Sequence, residues 1–303
     1  MAILEWVGTS LSLVGPHLFT RYIAGPHGEF ADRIHSTVIG KLLPMKIDQH
    51  HIDQFVDDGL TLIDDVFTEE EMTAASVGFD HLYTHGEKTN GILQYFHEPG
   101  LVDVLQHPHL EQAAKTMLRA DDVVLNSSAC LFKRPQDTTE WSKESEHVDI
   151  QFSLEEMDAT PRRMLAMMMV IVDDLPEGRG NTFVRLGSHR VIANWLQEHG
   201  QEPTKAHPIK FADLPPGLTF TELTPIVARR GQAAAFSTAI SHCGSTNIDT
   251  EPRKIMFVNF CPLGMMKQTS GNHNLRETRS QWRGQLKAAF RPDRQHLLLD
   301  NEV

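Results

Sequence analysis

The spacing of apolar residues changes near residue 122. Before that point it is helical. Within 48–58, Ile52, Phe55 and Val56 recur at helical spacing, and Gly59 is placed to stop the helix. The run 60–63 reads as a short strand. It leads into Thr68-Glu69-Glu70-Glu71, where a Thr followed three residues later by Glu forms a capping box for a second helix. Leu110, Ala113, Ala114, Met117 and Leu118 share one face of another helix. The apolar opening stretch 1–19 also reads as a helix packed on the domain, since Glu5 stands where a secretory signal would be positive and Pro16 and His17 interrupt it.

Beyond residue 122 short apolar runs alternate with turn residues. The segments 123–132, 147–152, 164–172, 181–186, 232–236 and 254–260 all read as strands. The run 164–172 is apolar on both faces and is therefore expected at the centre of a sheet. Segment 268–294 is polar and rich in Arg, a composition that permits either a helix packed on the sheet or a flap over a cleft that touches substrate. Helices followed by serial strands predict an α+β chain, mainly β at its centre, with an antiparallel double sheet. No internal repeat or low-complexity linker divides it, so a single domain is expected over 1–303: 1–121 mainly helical, 122–262 the sheet core, and 263–303 a C-terminal extension.

Composition narrows the function classes. With 40% hydrophobic and 22% charged residues in 303, the chain has ordinary soluble globular composition. Its formal net charge of −12 repels phosphate backbones and anionic lipid surfaces, so neither nucleic acid nor a membrane is expected as a partner. No run approaches the roughly 18 consecutive apolar residues of a membrane span. The cysteines Cys130, Cys243 and Cys261 are odd in number and lack zinc-knuckle spacing, which fits a reducing, cytoplasmic location.

Seventeen histidines require a geometric filter. Side chains two apart on a strand point the same way, so His-x-Asp on a strand can chelate one ion. The spacing occurs at His51–Asp53 and at His147–Asp149. The first pair lies in the expected helix, where positions two apart diverge by roughly 200° around the axis. The second lies in an alternating stretch that puts His147 and Asp149 on one side, Val148 and Ile150 on the other. His242 ends a strand-like run and is followed by turn residues, where a third ligand could reach a sheet interior from its rim. Two histidines and one carboxylate form the facial triad of non-haem Fe(II) oxygenases. Arg253 opens the next strand, and an Arg fork there suits a bidentate grip on a carboxylate.

With these residues placed, the chain resembles the phytanoyl-CoA dioxygenase family of Fe(II)/2-oxoglutarate-dependent oxygenases over roughly residues 48–262. The family's His-x-Asp pair falls on His147 and Asp149, its distal His on His242, and its 2-oxoglutarate Arg on Arg253. Leu186-Gly187-Ser188-His189-Arg190 is similar to the family's Pro-Gly-Ser-His-Arg turn, with Leu186 in place of Pro. Gln232 stands where the family generally has Asp, and Gly244, two after His242, stands where some relatives place a Ser near the cofactor. Asp149 is present where related halogenases have Gly or Ala, which argues against halogenation.

The resemblance implies a double-stranded β-helix, a cupin-like jelly roll with flanking helices. It also implies Fe(II), 2-oxoglutarate as co-substrate and O₂, with ascorbate as a supporting reductant. The expected reaction is oxidation of an unactivated C–H bond of a small-molecule metabolite with release of succinate and CO₂. Hydroxylation is the default outcome; desaturation, epoxidation or oxidative cyclisation in a biosynthetic pathway share the same chemistry. The competing readings are a non-catalytic jelly-roll protein that binds metal or 2-oxoglutarate, and a zinc hydrolase, which leaves Arg253 without a role. Other residues have bland readings: His189 in a turn, Met164, Met167, Met168 and Met169 in the core, Cys243 a small buried hydrophobe, and Trp141 either flanking substrate or covering core.

Overall fold

A computed structural model describes residues 45–85, 89–94, 96–204, 208–265 and 273–299. The helix expected over 1–19 lies outside them. In chain order the elements are α1 (Gln49–Asp57), β1 (Leu60–Ile63), α2 (Glu69–His85), β2 (Gly91–Gln94), α3 (Pro99–Leu105) and α4 (Pro108–Leu118). They continue as β3 (Val123–Lys133), β4 (His147–Val148), α5 (Leu154–Asp158), β5 (Ala166–Ile171), β6 (Phe183–Val184) and α6 (Ser188–Glu198). The last are β7 (Ile209–Lys210), β8 (Thr224–Pro225), β9 (Ala233–Ser237), β10 (His242–Cys243), β11 (Arg253–Pro262) and α7 (His273–Ala289), followed by a 3-10 turn at Pro292–Leu298.

The strands form two antiparallel sheets. One has the order β1-β9-β5-β11-β3-β2, the other β7-β4-β10-β6-β8. Burial on both faces of the larger sheet explains why its central strand β5 is apolar throughout. In β5, Met168 and Val170 join the cluster shared with the helices, whereas Met167, Met169 and Ile171 join the cluster between the sheets. β9 divides the same way: Ala233 and Ala235 face the helices, Ala234 and Phe236 the second sheet. The smaller sheet is covered outside by α6, where Val148 meets Ile192 and Leu196. This is the antiparallel double sheet that the strand pattern predicts and the jelly roll that the family resemblance implies, with the first-half helices on the outer face of the larger sheet.

Several local readings hold in atomic detail. Asp48 and His51 box the start of α1. At its end Gly59 adopts φ +78°, a region that costs a residue with a Cβ, and a Cβ there would sit 2.8 Å from His189 Nδ1. Thr68 and Glu71 make the expected reciprocal bonds before α2, at 2.8 and 3.2 Å.

Other readings are corrected. The strand expected over 147–152 stops at Val148, because Ser153 and Glu156 form a capping box that starts α5 at Leu154. Leu186–Arg190 is a turn only as far as Gly187; Ser188, His189 and Arg190 already belong to α6. The flap expectation for the C-terminal segment fails over its described residues. Trp282, Leu286 and Phe290, spaced four apart, are buried in the same core cluster as α3 and α4. Trp282 Nε1 donates to the Phe96 carbonyl at 3.2 Å and an Arg283 guanidinium nitrogen to the Leu125 carbonyl at 2.6 Å. Beyond α7, Arg294 pairs with the buried Glu111 of α4 at 2.5 Å. The segment is a buttress of the helical layer. Polar composition concealed this, because one apolar residue per turn suffices to dock a helix.

Candidate metal centre and carboxylate site

His147 begins β4 and His242 begins β10, and the two residues are directly paired across the smaller sheet. Opposed residues on one face of an antiparallel pair bring their side chains together, and the two imidazole centroids are 4.4 Å apart. Asp149 lies in the bend just past β4, so the spacing argument holds although the strand is shorter than expected. Its carboxylate oxygens stand 3.5 Å from His147 Nε2 and 3.8 Å from His242 Nε2. Among the described residues this is the group of His, Cys, Asp and Glu that converges, with one ligand atom from each within 4.8 Å of the others.

The tautomers follow from the partners. His147 Nδ1 is 3.0 Å from the Ser145 carbonyl and His242 Nδ1 is 3.0 Å from the Ile240 carbonyl. A carbonyl oxygen only accepts, so each Nδ1 carries the proton and each Nε2 presents its lone pair to the space beside Asp149. Two neutral imidazole nitrogens and one carboxylate, with His147 and Asp149 each about 30% exposed on their open side, suit a divalent first-row metal ion with coordination positions to spare. The protonation balance shows mutual support. The Asp149 hydrogen bond raises His147 above the ordinary histidine value, and burial pushes His242 below it. Burial pushes the Asp149 carboxyl up, but the two histidines more than offset this and hold it below the usual range.

His51, from the other His-x-Asp spacing, caps α1 with its Nδ1 2.6 Å from Asp48 and takes no part in the cluster. His189 is buried; its Nε2 donates to the Val56 carbonyl at 3.0 Å, and burial pushes it down to about 4. Of the methionines, Met164 and Met168 lie in the helix-side core, and Met167 and Met169 face the second sheet. Trp141 is exposed and rests on Phe183, with ring centroids 5.1 Å apart.

Arg253, the first residue of β11, is 1% exposed. It donates to the Gly180 carbonyl at 2.6 Å and to Thr182 Oγ1 at 2.7 Å; its Nε has no partner, and Met169 Sδ lies 3.7 Å from the guanidinium. Among the described residues no carboxylate pairs with it, and burial pushes its pKa down to about 9. A buried guanidinium held by two neutral acceptors is costly unless an anion completes it. Its donor set therefore fits a carboxylate ligand. Lys133, directly opposite Arg253 in the sheet, is already committed, pairing with Glu144 and donating to the Ser245 carbonyl at 2.7 Å. The same Glu144 explains Gly244: a Cβ at Gly244 would collide with that carboxylate.

Thr182 and the Gly180 carbonyl, which aim Arg253, were missed by the sequence reading, as were Glu146, Arg185 and Ser241 behind the histidines. The available signal was Glu146 directly beside His147 at the edge of an alternating apolar run.

The family model for phytanoyl-CoA dioxygenase (PhyH) matches residues 55–255. No curated protein matches the chain by sequence. Among solved structures, the epimerase SnoN from nogalamycin biosynthesis, in complex with Fe3+, alpha ketoglutarate and nogalamycin RO, is similar at 16% identity and a TM-score of 0.57, over 71% of this chain and 84% of that one. The carbocyclase SnoK from the same biosynthesis is similar at 17% identity and a TM-score of 0.52, over 72% and 85%. HygX from Streptomyces hygroscopicus, with nickel and 2-oxoglutarate bound, is similar at 14% identity and a TM-score of 0.51, over 72% and 87%. At these identities the likeness is one of fold.

Proposed function

The chain belongs to the phytanoyl-CoA dioxygenase family of Fe(II)/2-oxoglutarate-dependent oxygenases, and from that premise we propose that His147, Asp149 and His242 hold its Fe(II) while Arg253 grips the distal carboxylate of 2-oxoglutarate. The observation that carries the reading is the convergence of the three donors with both imidazoles locked in the tautomer that frees Nε2. The buried Arg253, with no carboxylate paired to it among the described residues, sets an oxygenase apart from a zinc hydrolase, which has no use for it.

When bound, Fe(II) with 2-oxoglutarate and O₂ supplies the oxidising power, taking 2-oxoglutarate to succinate and CO₂ as a substrate C–H bond is oxidised. The chain's own residues bind and orient. Arg253 fixes one end of the co-substrate by charge-assisted bonds. Phe236, whose ring centroid lies 5.9 Å from that of His242, and Met167, paired with it on the neighbouring strand, form a dry wall next to the triad. That wall continues through Asn259 to Ser127, whose side chains bond each other at 2.9 Å, giving the apolar surface one polar patch. An apolar wall with a single polar patch, in a chain of net charge −12, suits a small metabolite better than a polyanionic acyl-CoA. The reaction is hydroxylation by default.

The test is succinate release with Fe(II), 2-oxoglutarate and O₂ in the presence of a metabolite extract, with products identified by mass spectrometry. His242→Ala should lose both metal binding and succinate release, while His51→Ala should keep both. Normal metal binding and turnover in His242→Ala would overturn the assignment.

A further inference from the structure

One carboxylate ties together the strands that bear or flank the two histidines. Glu146 immediately precedes β4, Ser241 immediately precedes β10, and Arg185 immediately follows β6, which makes them flanking residues of three neighbouring strands in the smaller sheet. Alternation puts all three on the face opposite His147 and His242. Ser241 Oγ donates to Glu146 Oε1 at 2.8 Å, across 95 residues of sequence. Arg185 donates to the same carboxylate through Nε at 2.5 Å and through a terminal nitrogen at 3.3 Å, and the Lys143 ammonium stands 3.4 Å away. Glu146 and Ser241 are buried. Arg185 is held in turn by the Thr221 carbonyl at 2.7 Å and by the Phe211 ring, 4.7 Å beneath its guanidinium. The Arg185 amide also donates to the Ser241 carbonyl at 2.9 Å, and the Ser241 amide to Ser188 Oγ at 2.8 Å.

The backbone alone is a weak spacer at this point. β4 and β10 are two residues each and share a single register pair, His242 with His147. Ladders so short contribute little rigidity, whereas a bidentate Arg pair to a buried carboxylate fixes direction as well as distance.

We propose that Glu146, acting through Ser241 and Arg185, is a positioning residue that holds His147 and His242 at the separation a metal ion needs. The proposal rests on the reading of those histidines as iron ligands. Partners that orient metal-binding histidines commonly account for 10–100-fold in metal affinity.

Co(II) is the probe, because its visible absorption reports coordination geometry independently of turnover. Glu146→Gln keeps the shape and removes the charge. It should weaken Co(II) binding about 10- to 100-fold and change the intensity of the Co(II) bands. Glu111→Gln is the control: Glu111 is as deeply buried and also paired with an arginine, but it lies on α4, where it anchors the C-terminal buttress through Arg294. It should lower the melting temperature and leave Co(II) affinity and spectrum as in the wild type. Wild-type affinity and spectrum in Glu146→Gln, or equal weakening in Glu111→Gln, overturns the proposal. If Glu146→Gln does not fold, Ser241→Ala decides. A loss of about two- to tenfold supports the clasp, and unchanged affinity refutes it. Wild-type Co(II) affinity in His242→Ala would instead overturn the ligand assignment itself.

Discussion

Replacing Arg253 by Leu should remove most 2-oxoglutarate binding and leave metal binding nearly intact. Arg253 is 1% exposed and its guanidinium donates to two neutral oxygens, the Gly180 carbonyl at 2.6 Å and Thr182 Oγ1 at 2.7 Å; no carboxylate pairs with it among the described residues, so a ligand carboxylate would be its charged partner. A charge-assisted pair in such a dry site contributes about 2–4 kcal/mol, which is about 30- to 1000-fold in affinity. Lys offers one compact charge in place of a fork, so Arg253→Lys should retain part of the affinity. The assay is ligand-dependent thermal stabilisation. At 2-oxoglutarate one hundred times the wild-type Kd the folded protein gains about 2.7 kcal/mol, and a variant weakened about 100-fold gains only about 0.4 kcal/mol under the same conditions. Without 2-oxoglutarate, Arg253→Leu should change stability little, because losing a costly buried charge offsets the two acceptors left unpaired. Wild-type 2-oxoglutarate stabilisation in Arg253→Leu would refute the reasoning and place the anchor elsewhere.

Two further outcomes test the frame around the site. Trp282→Ala, at a side chain 1% exposed in the helical layer, should cost about 3–5 kcal/mol in urea unfolding while the Kd for Co(II) stays at the wild-type value; a selective loss of metal affinity without loss of stability would contradict the buttress role of α7. His189, held neutral at about 4 by burial, takes up a proton on unfolding anywhere between that value and the ordinary histidine value near 6.5. The unfolded state binds more protons in that window, so stability should fall as pH drops from about 6.5 to about 4, by on the order of 3 kcal/mol from this residue. His189→Gln should flatten the dependence in denaturant titrations, and an unaltered slope would show that His189 is not the cause.

Which face a side chain takes was legible in the sequence, because face follows from period. The two-residue spacing of His147 and Asp149 put them on one side, the helical period of Ile52, Phe55 and Val56 marked α1, and the Thr68–Glu71 box marked the start of α2. Each of these is decided by the backbone within a few residues. The length of β4 was less legible, since the Ser153–Glu156 cap competes with strand extension and only their outcome shows where Asp149 sits.

Tertiary structure decided which histidines meet. His147 and His242 are joined by one register pair between strands far apart in the sequence, and nothing local to either specifies that partner. The same holds for the clasp of Glu146, Ser241 and Arg185, for the burial of Arg253 with no carboxylate paired to it among the described residues, and for the docking of α7. Local period chooses the face a residue presents, whereas a contact between distant residues depends on sheet register and layer order, which the packing of the whole core selects.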